Sequence, residues 1–427
     1  MLVVKFSLLL QSHLGLGQSE ILENPYFTAD HPLYRGTMKV KHLTVIAIVC
    51  LLVAALLFAV VFLGSPTKED YVDVFVGIDV AYDCPEETKT LIDAVSPYTN
   101  VFIIGSEGVT SNETKLTELS QYIYDKGLSF IVFTQTHDAP YIPTRQWIEN
   151  AKAKWGDRFL GLYVYDEAGG KHLDRYQWRV VREADNYTDA RNQFVAHLEY
   201  LIQVASSNTT TEVEGVQAFT SDYGLYWFDY KAGYDTVFAE FGWNYSRLLN
   251  VVMARGAATA QNKDWGVMIT WTYNEPPYLE SGEKLYEDMV FAYENGAKYI
   301  LIFDTNENYT HGVLREEHFQ AIKQFTEYAH LNPRTTNSIG DRTAFVLPKD
   351  FGYGFRGPSD GWIWGIWEAK NDTLSYELSV KLGGLLEEYG TKLDVIYDDE
   401  VNYNNLGYHQ FIFWNGTIID RQDSSFP

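Results

Sequence analysis

The side chains best suited to chemistry in this chain are carboxylates set among aromatic rings. Asp79, the pair Asp166-Glu167, Glu240 and Glu275 each follow an apolar run, and Trp243, Trp271, Tyr273 and Asn274 lie near them in sequence. Two carboxyls, one protonated and one ionised, are the equipment for general acid–base work. Glycosidic cleavage needs such a pair roughly 5–9.5 Å apart, the acid kept protonated by apolar or anionic surroundings. Alternation along each run indicates which residues point inward. In Gly161–Glu167, Leu162 and Val164 form an aliphatic face, so Gly161, Tyr163, Tyr165 and Glu167 share the other and Asp166 points away. Phase likewise groups Asp79 with Gly77, and Glu240 with Phe238 and Gly242. Glu167 and Glu240 are therefore the expected catalytic pair. Asp79, Asp166, Trp243, Trp271, Tyr273, Asn274 and Glu275 are the expected substrate contacts, rings stacking on sugars and polar groups meeting hydroxyls.

Each assignment has an ordinary structural alternative. Glu167 could cap the following helix or pair with Lys171, and Glu240 could be a buried partner of Arg247 or Arg255. Other motifs fail on their own chemistry. Asp304-x-Asn306-x-Asn308 begins like a calcium loop, but Tyr309 stands where glycine is required. Gly352-x-Gly354-x-x-Gly357 is followed by Pro358 and an aromatic run, not by the helix that would receive a pyrophosphate; glycine turns supporting Trp362, Trp364 and Trp367 explain it better. His311 and His318 have no third ligand nearby, and there is no H-E-x-x-H, G-x-S-x-G or P-loop. Cys84 is expected to be buried and inert. No cofactor and no metal are expected.

The elements that must hold these groups are eight strands alternating with helices. Apolar runs lie at Val72–Val80, Asn100–Gly105, Leu128–Thr134, Phe159–Tyr165, Val216–Thr220, Val237–Phe241, Gly266–Tyr273 and Tyr299–Phe303. Helical patterns separate most of them, although Tyr223–Asp235 is too aromatic to read as helix. The alternation predicts a (β/α)8 TIM barrel over 71–333, with working groups at the C-terminal ends of its strands. After Asn332-Pro333 the pattern restarts as a small α/β domain over 342–420, with strands Thr343–Leu347, Leu393–Tyr397 and Phe411–Trp414 and a helix Tyr376–Tyr389. None of the expected strand ends carries Lys or Arg, so the mouth should be acidic and suit neutral, hydroxyl-rich substrates.

Residues 43–64 carry no charge and are long enough to cross a hydrocarbon layer about 30 Å thick. Arg35, Lys39 and Lys41 precede them, which predicts a single-pass signal anchor with 1–42 cytoplasmic and the remainder extracellular. Met38 opens a positively charged segment typical of such anchors and is an alternative start to Met1. All seven Asn-x-Ser/Thr sequons follow the anchor: Asn112, Asn186, Asn208, Asn244, Asn308, Asn371 and Asn415. Chance alone predicts about 2.5, so a glycosylated ectodomain at the cell surface is expected. Of 427 residues, 33 are basic and 57 acidic, giving −24 at neutral pH, a balance that argues against nucleic-acid partners.

Three segments carry a resemblance: Tyr165-Asp-Glu-Ala-Gly-Gly170, Phe238-Ala-Glu-Phe-Gly-Trp243 and Trp271-Thr-Tyr-Asn-Glu-Pro-Pro-Tyr278. The similarity continues through Val346–Lys349 and Leu393–Asp399. Together they resemble predicted archaeal cell-surface proteins with a glycoside-hydrolase-like barrel. Ala168 stands where that group often has proline, which leaves both carboxylates in place. The resemblance implies the barrel architecture and surface location. The expected function is a glycoside hydrolase-like ectoprotein acting on cell-envelope or environmental glycans. The alternative is a non-catalytic glycan-binding or envelope-structural protein on the same barrel.

Overall fold

The computed structural model describes residues 74–421 apart from 135–142, 175–176, 178, 206–212, 306–311, 335–338, 358–359 and 400–402. The segment 1–42, the anchor expected over 43–64, and the sequons Asn208 and Asn308 lie outside the described residues. Among the described residues no helix is long and apolar enough to cross a membrane.

Eight parallel strands close a barrel in chain order: β1 Phe75–Val80, β2 Val101–Ile104, β3 Ser129–Thr134, β4 Phe159–Val164, β5 Gln217–Asp222, β6 Thr236–Phe241, β7 Asp264–Ile269 and β8 Tyr299–Asp304. The helices between them are α1 Pro85–Val95, α2 Glu107–Thr110, α3 Glu113–Asp125, α4 Arg145–Trp155, α5 Ala168–Asp174, α6 Tyr187–Ala205, α7 Tyr226–Lys231, α8 Arg247–Ala260 and α9 Gly282–Glu294, with α10 Glu316–Leu331 after β8. The aromatic stretch after β5 is thus helical at α7. Tyr226, Trp227, Phe228 and Tyr230 are all buried there, so tertiary packing overrides weak helix propensity.

Strand alternation sorts two cores. Val76, Ile78 and Val80 of β1, Leu162 and Val164 of β4, and Val237, Ala239 and Phe241 of β6 face the helices. The lumen holds mainly large rings, among them Tyr163, Phe219, Phe238 and Tyr299. The Phe219 and Phe238 rings stack at 5.8 Å and Phe75 stacks on Tyr299 at 4.8 Å, so the barrel interior is solid. The β3–β4 pairing slips by one residue, from Phe130 opposite Phe159 to Ile131 opposite Gly161. A Cβ on Gly161 would lie 2.0 Å from the Gln217 carbonyl oxygen, so only glycine fits this irregularity. It sets the phase that sends Tyr163 inward.

Beyond the barrel, β12 Leu393–Tyr397, β9 Thr343–Leu347, β13 Gln410–Phe413 and β14 Ile418–Asp420 form a separate sheet in that order. A hairpin, β10 Trp362–Ile363 with β11 Trp367–Glu368, and the helices α11 Thr373–Tyr389 and α12 Tyr403–Leu406 complete this layer. It belongs to one compact unit with the barrel, Thr67–Pro427. Arg255 of α8 explains the attachment. Its Nε lies 2.7 Å from Asp394 Oδ1, its Nη2 donates to the Thr391 and Leu393 carbonyls and its Nη1 to Asn295 Oδ1, and Arg342 and the Tyr408 hydroxyl complete the shell of Asp394. The Arg255 guanidinium nitrogens and both Asp394 oxygens are matched, as burial of ions requires.

Next to it, a Cβ on Gly256 would stand 2.2 Å from the Val395 carbonyl oxygen, so α8 and β12 touch backbone to backbone. Gly256→Val should therefore destabilise the protein by at least about 2 kcal/mol through overpacking. The check is a fall in the denaturant midpoint relative to wild type.

Candidate functional site

The chain turns sharply where β4 ends. Tyr165 and Glu167 both adopt left-handed backbone angles, φ +51° and +54°. This breaks the strand alternation. Tyr165 goes to the outer layer, its ring edge-on to His197, and Asp166 turns into the barrel mouth. The expectation that Tyr165 points in and Asp166 out is thereby corrected. Backbone bonds hold the turn: the Glu167 N–H donates to the Ser221 carbonyl and the Thr220 hydroxyl to the Tyr165 carbonyl.

Inside the mouth, hydroxyls and carboxyls form one chain of contacts. The Tyr163 hydroxyl donates to Asp166 Oδ1 at 2.5 Å and lies 2.8 Å from Ser221 Oγ. Ser221 Oγ is in turn 3.0 Å from Asp166 Oδ1 and 2.8 Å from Glu240 Oε1. Glu240 and Glu167 face the same space closely enough for the charge of Glu167 to act on Glu240, so the two expected catalytic residues are brought together. Lys171 of α5 closes the arrangement, its Nζ 3.0 Å from Glu167 Oε2 and 3.2 Å from Asp166 Oδ2. An acidic mouth is thus observed, but with a lysine reaching in from the helix after β4. Asp79 also faces this space. It is buried, and its Oδ1 has no hydrogen-bond partner among the described residues.

The surroundings of the pair are unequal. Glu240 is buried, and burial together with the charges of Glu167 and Asp166 pushes its pKa well above the usual carboxylate range, outweighing the Ser221 hydrogen bond. Burial, then Asp166, also raises Glu167, and Lys171 offsets only part of that rise. Burial, then Asp166, raises Asp79. The arrangement favours the protonated form of both carboxyls, more strongly on Glu240 than on Glu167, which has a lysine beside it. Neither arginine considered as a partner for Glu240 touches it: Arg247 pairs with Glu280 and Asp288, and Arg255 with Asp394. The ordinary role considered for Glu167 is realised in part, since Lys171 does pair with it. Helix capping falls instead to Asp222, whose carboxylate accepts the N–H groups of Gly169 and Gly170 at the start of α5 and of Tyr223 and Gly224. Burial still lifts Asp222 to about 7.

The expected contacts after β6 and β7 divide. The Trp243 N–H donates to the Trp271 carbonyl, which ties the two loops together, and Trp271 stacks on Tyr278 with centroids 4.7 Å apart. Tyr273, Asn274 and Glu275 are exposed on the loop beyond. No hydrogen bond or ion pair joins these three to the carboxyl cluster among the described residues. The rings that do flank the cluster are Tyr223 and Tyr245, stacked at 5.5 Å and 13°. The sequence carries a signal for them, since each stands shortly after a strand-end carboxylate, but the expected rings are Trp243, Trp271 and Tyr273. Asp304 is structural: it accepts from the Tyr82 hydroxyl and from the Val313 and Leu314 N–H groups. Cys84 is exposed, not buried as expected, because it sits just before α1. The described residues contain no cluster of three or more His, Cys, Asp or Glu able to hold a metal ion.

A closed eight-stranded parallel barrel with ionisable groups at the C-terminal strand ends defines the class as TIM-like. No protein-family model and no curated protein matches the sequence. Among solved structures, the pneumococcal virulence factor StrH matches with a TM-score of 0.37 at 10% identity, covering 60% of this chain and 84% of that one. A second StrH structure, of the tandem GH20 catalytic modules of that exo-β-D-N-acetylglucosaminidase, matches with 0.38 at 10% identity over 60% and 85%. Tryptophan synthase of Mycobacterium tuberculosis matches with 0.35 at 10% identity over 62% and 93%. Likeness this distant, shared by enzymes of unrelated chemistry, carries no argument about activity.

The electrostatics yield a stability prediction. A carboxyl with a raised folded pKa binds more protons in the native state than in the unfolded one, so stability falls as pH rises above the ordinary glutamate value of about 4.3. Glu240→Gln keeps the size and a partner for Ser221 while removing that loss. The variant should exceed wild type in stability above about pH 5, by about 1.4 kcal/mol for each unit of elevation reached, and converge with it below about pH 4. Denaturant titrations across pH check this.

Proposed function

We propose that this chain is a membrane-anchored, extracellular glycoside hydrolase-like protein, with Glu240 as proton donor and Glu167 as its anionic partner. The observation that carries the reading is a neighbouring carboxyl pair with unequal surroundings: Glu240 is buried and pushed well above the usual carboxylate range, whereas Glu167 is ion-paired to Lys171. In the first step the Glu240 proton passes to the leaving glycosidic oxygen while the Glu167 carboxylate bonds to the anomeric carbon. In the second, Glu240, now a carboxylate, takes a proton from water, and the resulting hydroxide displaces Glu167. Asp166 and Asp79 are assigned to substrate hydroxyls.

Residues 43–64 are the proposed anchor, with the N-terminus cytoplasmic. The sequon residues Asn112, Asn186, Asn244, Asn371 and Asn415 are all exposed, which suits glycosylation. Asn112 and Asn186 use Oδ1 to accept helix N–H groups, leaving Nδ2 for the sugar. The second reading, a glycan-binding protein without catalysis, draws on the Lys171 ion pair, which restrains Glu167.

The test is release of reducing ends from a panel of polysaccharides by the full-length protein. Glu167→Gln and Glu240→Gln should each lower the rate by about 10²–10⁴-fold without loss of folding. Undiminished release by both variants would sink the assignment; binding without release by wild type would favour the second reading.

A further inference from the structure

The glycine-rich loop between β9 and β10, which fails as a nucleotide site, has a different use. It carries Arg356 to the barrel. The guanidinium grips Asp174 at the end of α5 through two bonds of 3.0 Å and Asp360 of its own loop at 2.9 and 3.0 Å, and is almost fully buried. Its plane lies over the Tyr223 ring, 5.2 Å from the centroid. The close fit is built in: a Cβ on Gly354 would stand 2.9 Å from Arg356 Nε and 3.0 Å from Leu173 of α5. Behind Tyr223, a Cβ on Gly170 would strike the ring at 2.3 Å, so the ring cannot retreat toward α5. Tyr223 thus contacts both Arg356 and Tyr245, and Tyr245 is half-buried.

This stack stands beside the working carboxyls. Tyr223 is two residues from Ser221, the hydroxyl that bonds to Glu240 and Asp166. Burial, then Glu167 first among the charges, raises the pKa of the Tyr223 phenol, and Glu240 acts on both phenols. Because Arg356 is already neutralised by Asp174 and Asp360, it is not a receptor for a substrate anion.

We infer that Arg356 is a positioning residue: it fixes the Tyr223–Tyr245 stack as the platform on which one sugar ring packs beside the Glu167–Glu240 pair. The C-terminal layer is therefore part of the site, and the substrate is an uncharged glycan, since an anionic sugar would face Asp166 and Glu167. The substrate class rests on the glycan reading above; the role of Arg356 is tested separately from hydrolysis.

The experiment uses the full chain with cellohexaose, chitohexaose and hexagalacturonate as probes. Wild type should bind at least one neutral probe and not hexagalacturonate. Arg356→Ala should weaken that binding about tenfold, with Arg356→Lys intermediate, and any KM should rise by more than kcat falls. Tyr245→Ala should match Arg356→Ala, and carries the test if the latter fails to fold. Hydrolysis whose KM is indifferent to both substitutions overturns this inference and leaves the hydrolase standing. Binding that depends on Arg356 without hydrolysis does the reverse. Preference for hexagalacturonate, or no binding of any probe, overturns the inference.

Discussion

Asp79, Asp166, Glu167 and Glu240 converge on the mouth of one barrel, and the cation bonded among them is Lys171. Full ionisation of all four would crowd like charges in poorly solvated space, and burial and mutual repulsion therefore favour the protonated forms. Glu240 and Asp79, the most buried, are raised furthest, while Asp166 and Glu167 share the lysine. The result is two neighbouring carboxyls that differ in how strongly they are driven to hold a proton, and such inequality is what acid–base chemistry on a neutral substrate uses.

Positioning depends on backbone departures that a regular strand could not supply. The slip at Gly161 sends Tyr163 inward, and the left-handed residues Tyr165 and Glu167 bring two consecutive carboxyls to the same space. Asp222 then anchors α5, which delivers Lys171 from one of its turns and Asp174 at its end. A single short helix thereby links the carboxyl pair to the loop of the C-terminal layer. That layer is fixed elsewhere by Arg255 and Asp394, so its hold on Tyr223 does not rely on Arg356 alone.

Much of the barrel was legible because period-two patterning is a direct image of two-sided burial. Val76, Ile78 and Val80, or Val237, Ala239 and Phe241, could face only the helices, which placed Asp79 and Glu240 inside. The same logic failed at Asp166, one residue past the strand, where φ changes sign and alternation no longer applies. Strand phase also says nothing of Lys171, which lies on the following helix; it was legible only as a neighbour four residues after Glu167, with which it does pair. Arg356 was hidden for another reason: nothing local in Gly352–Gly357 shows that the loop packs on α5 and Tyr223, residues more than a hundred positions earlier. Trp271 and Trp243 drew attention by ring size, whereas the rings beside the carboxyls are tyrosines.

The most direct test of the central claim is the infrared spectrum of the protein at neutral pH, in the region where protonated carboxyl groups absorb. A stored proton on Glu240 predicts a buried carboxylic-acid band that Glu240→Gln removes and Glu167→Gln leaves in place. A spectrum in which Glu240→Gln removes no such band would mean that Glu240 is ionised, and would contradict its assignment as the proton donor.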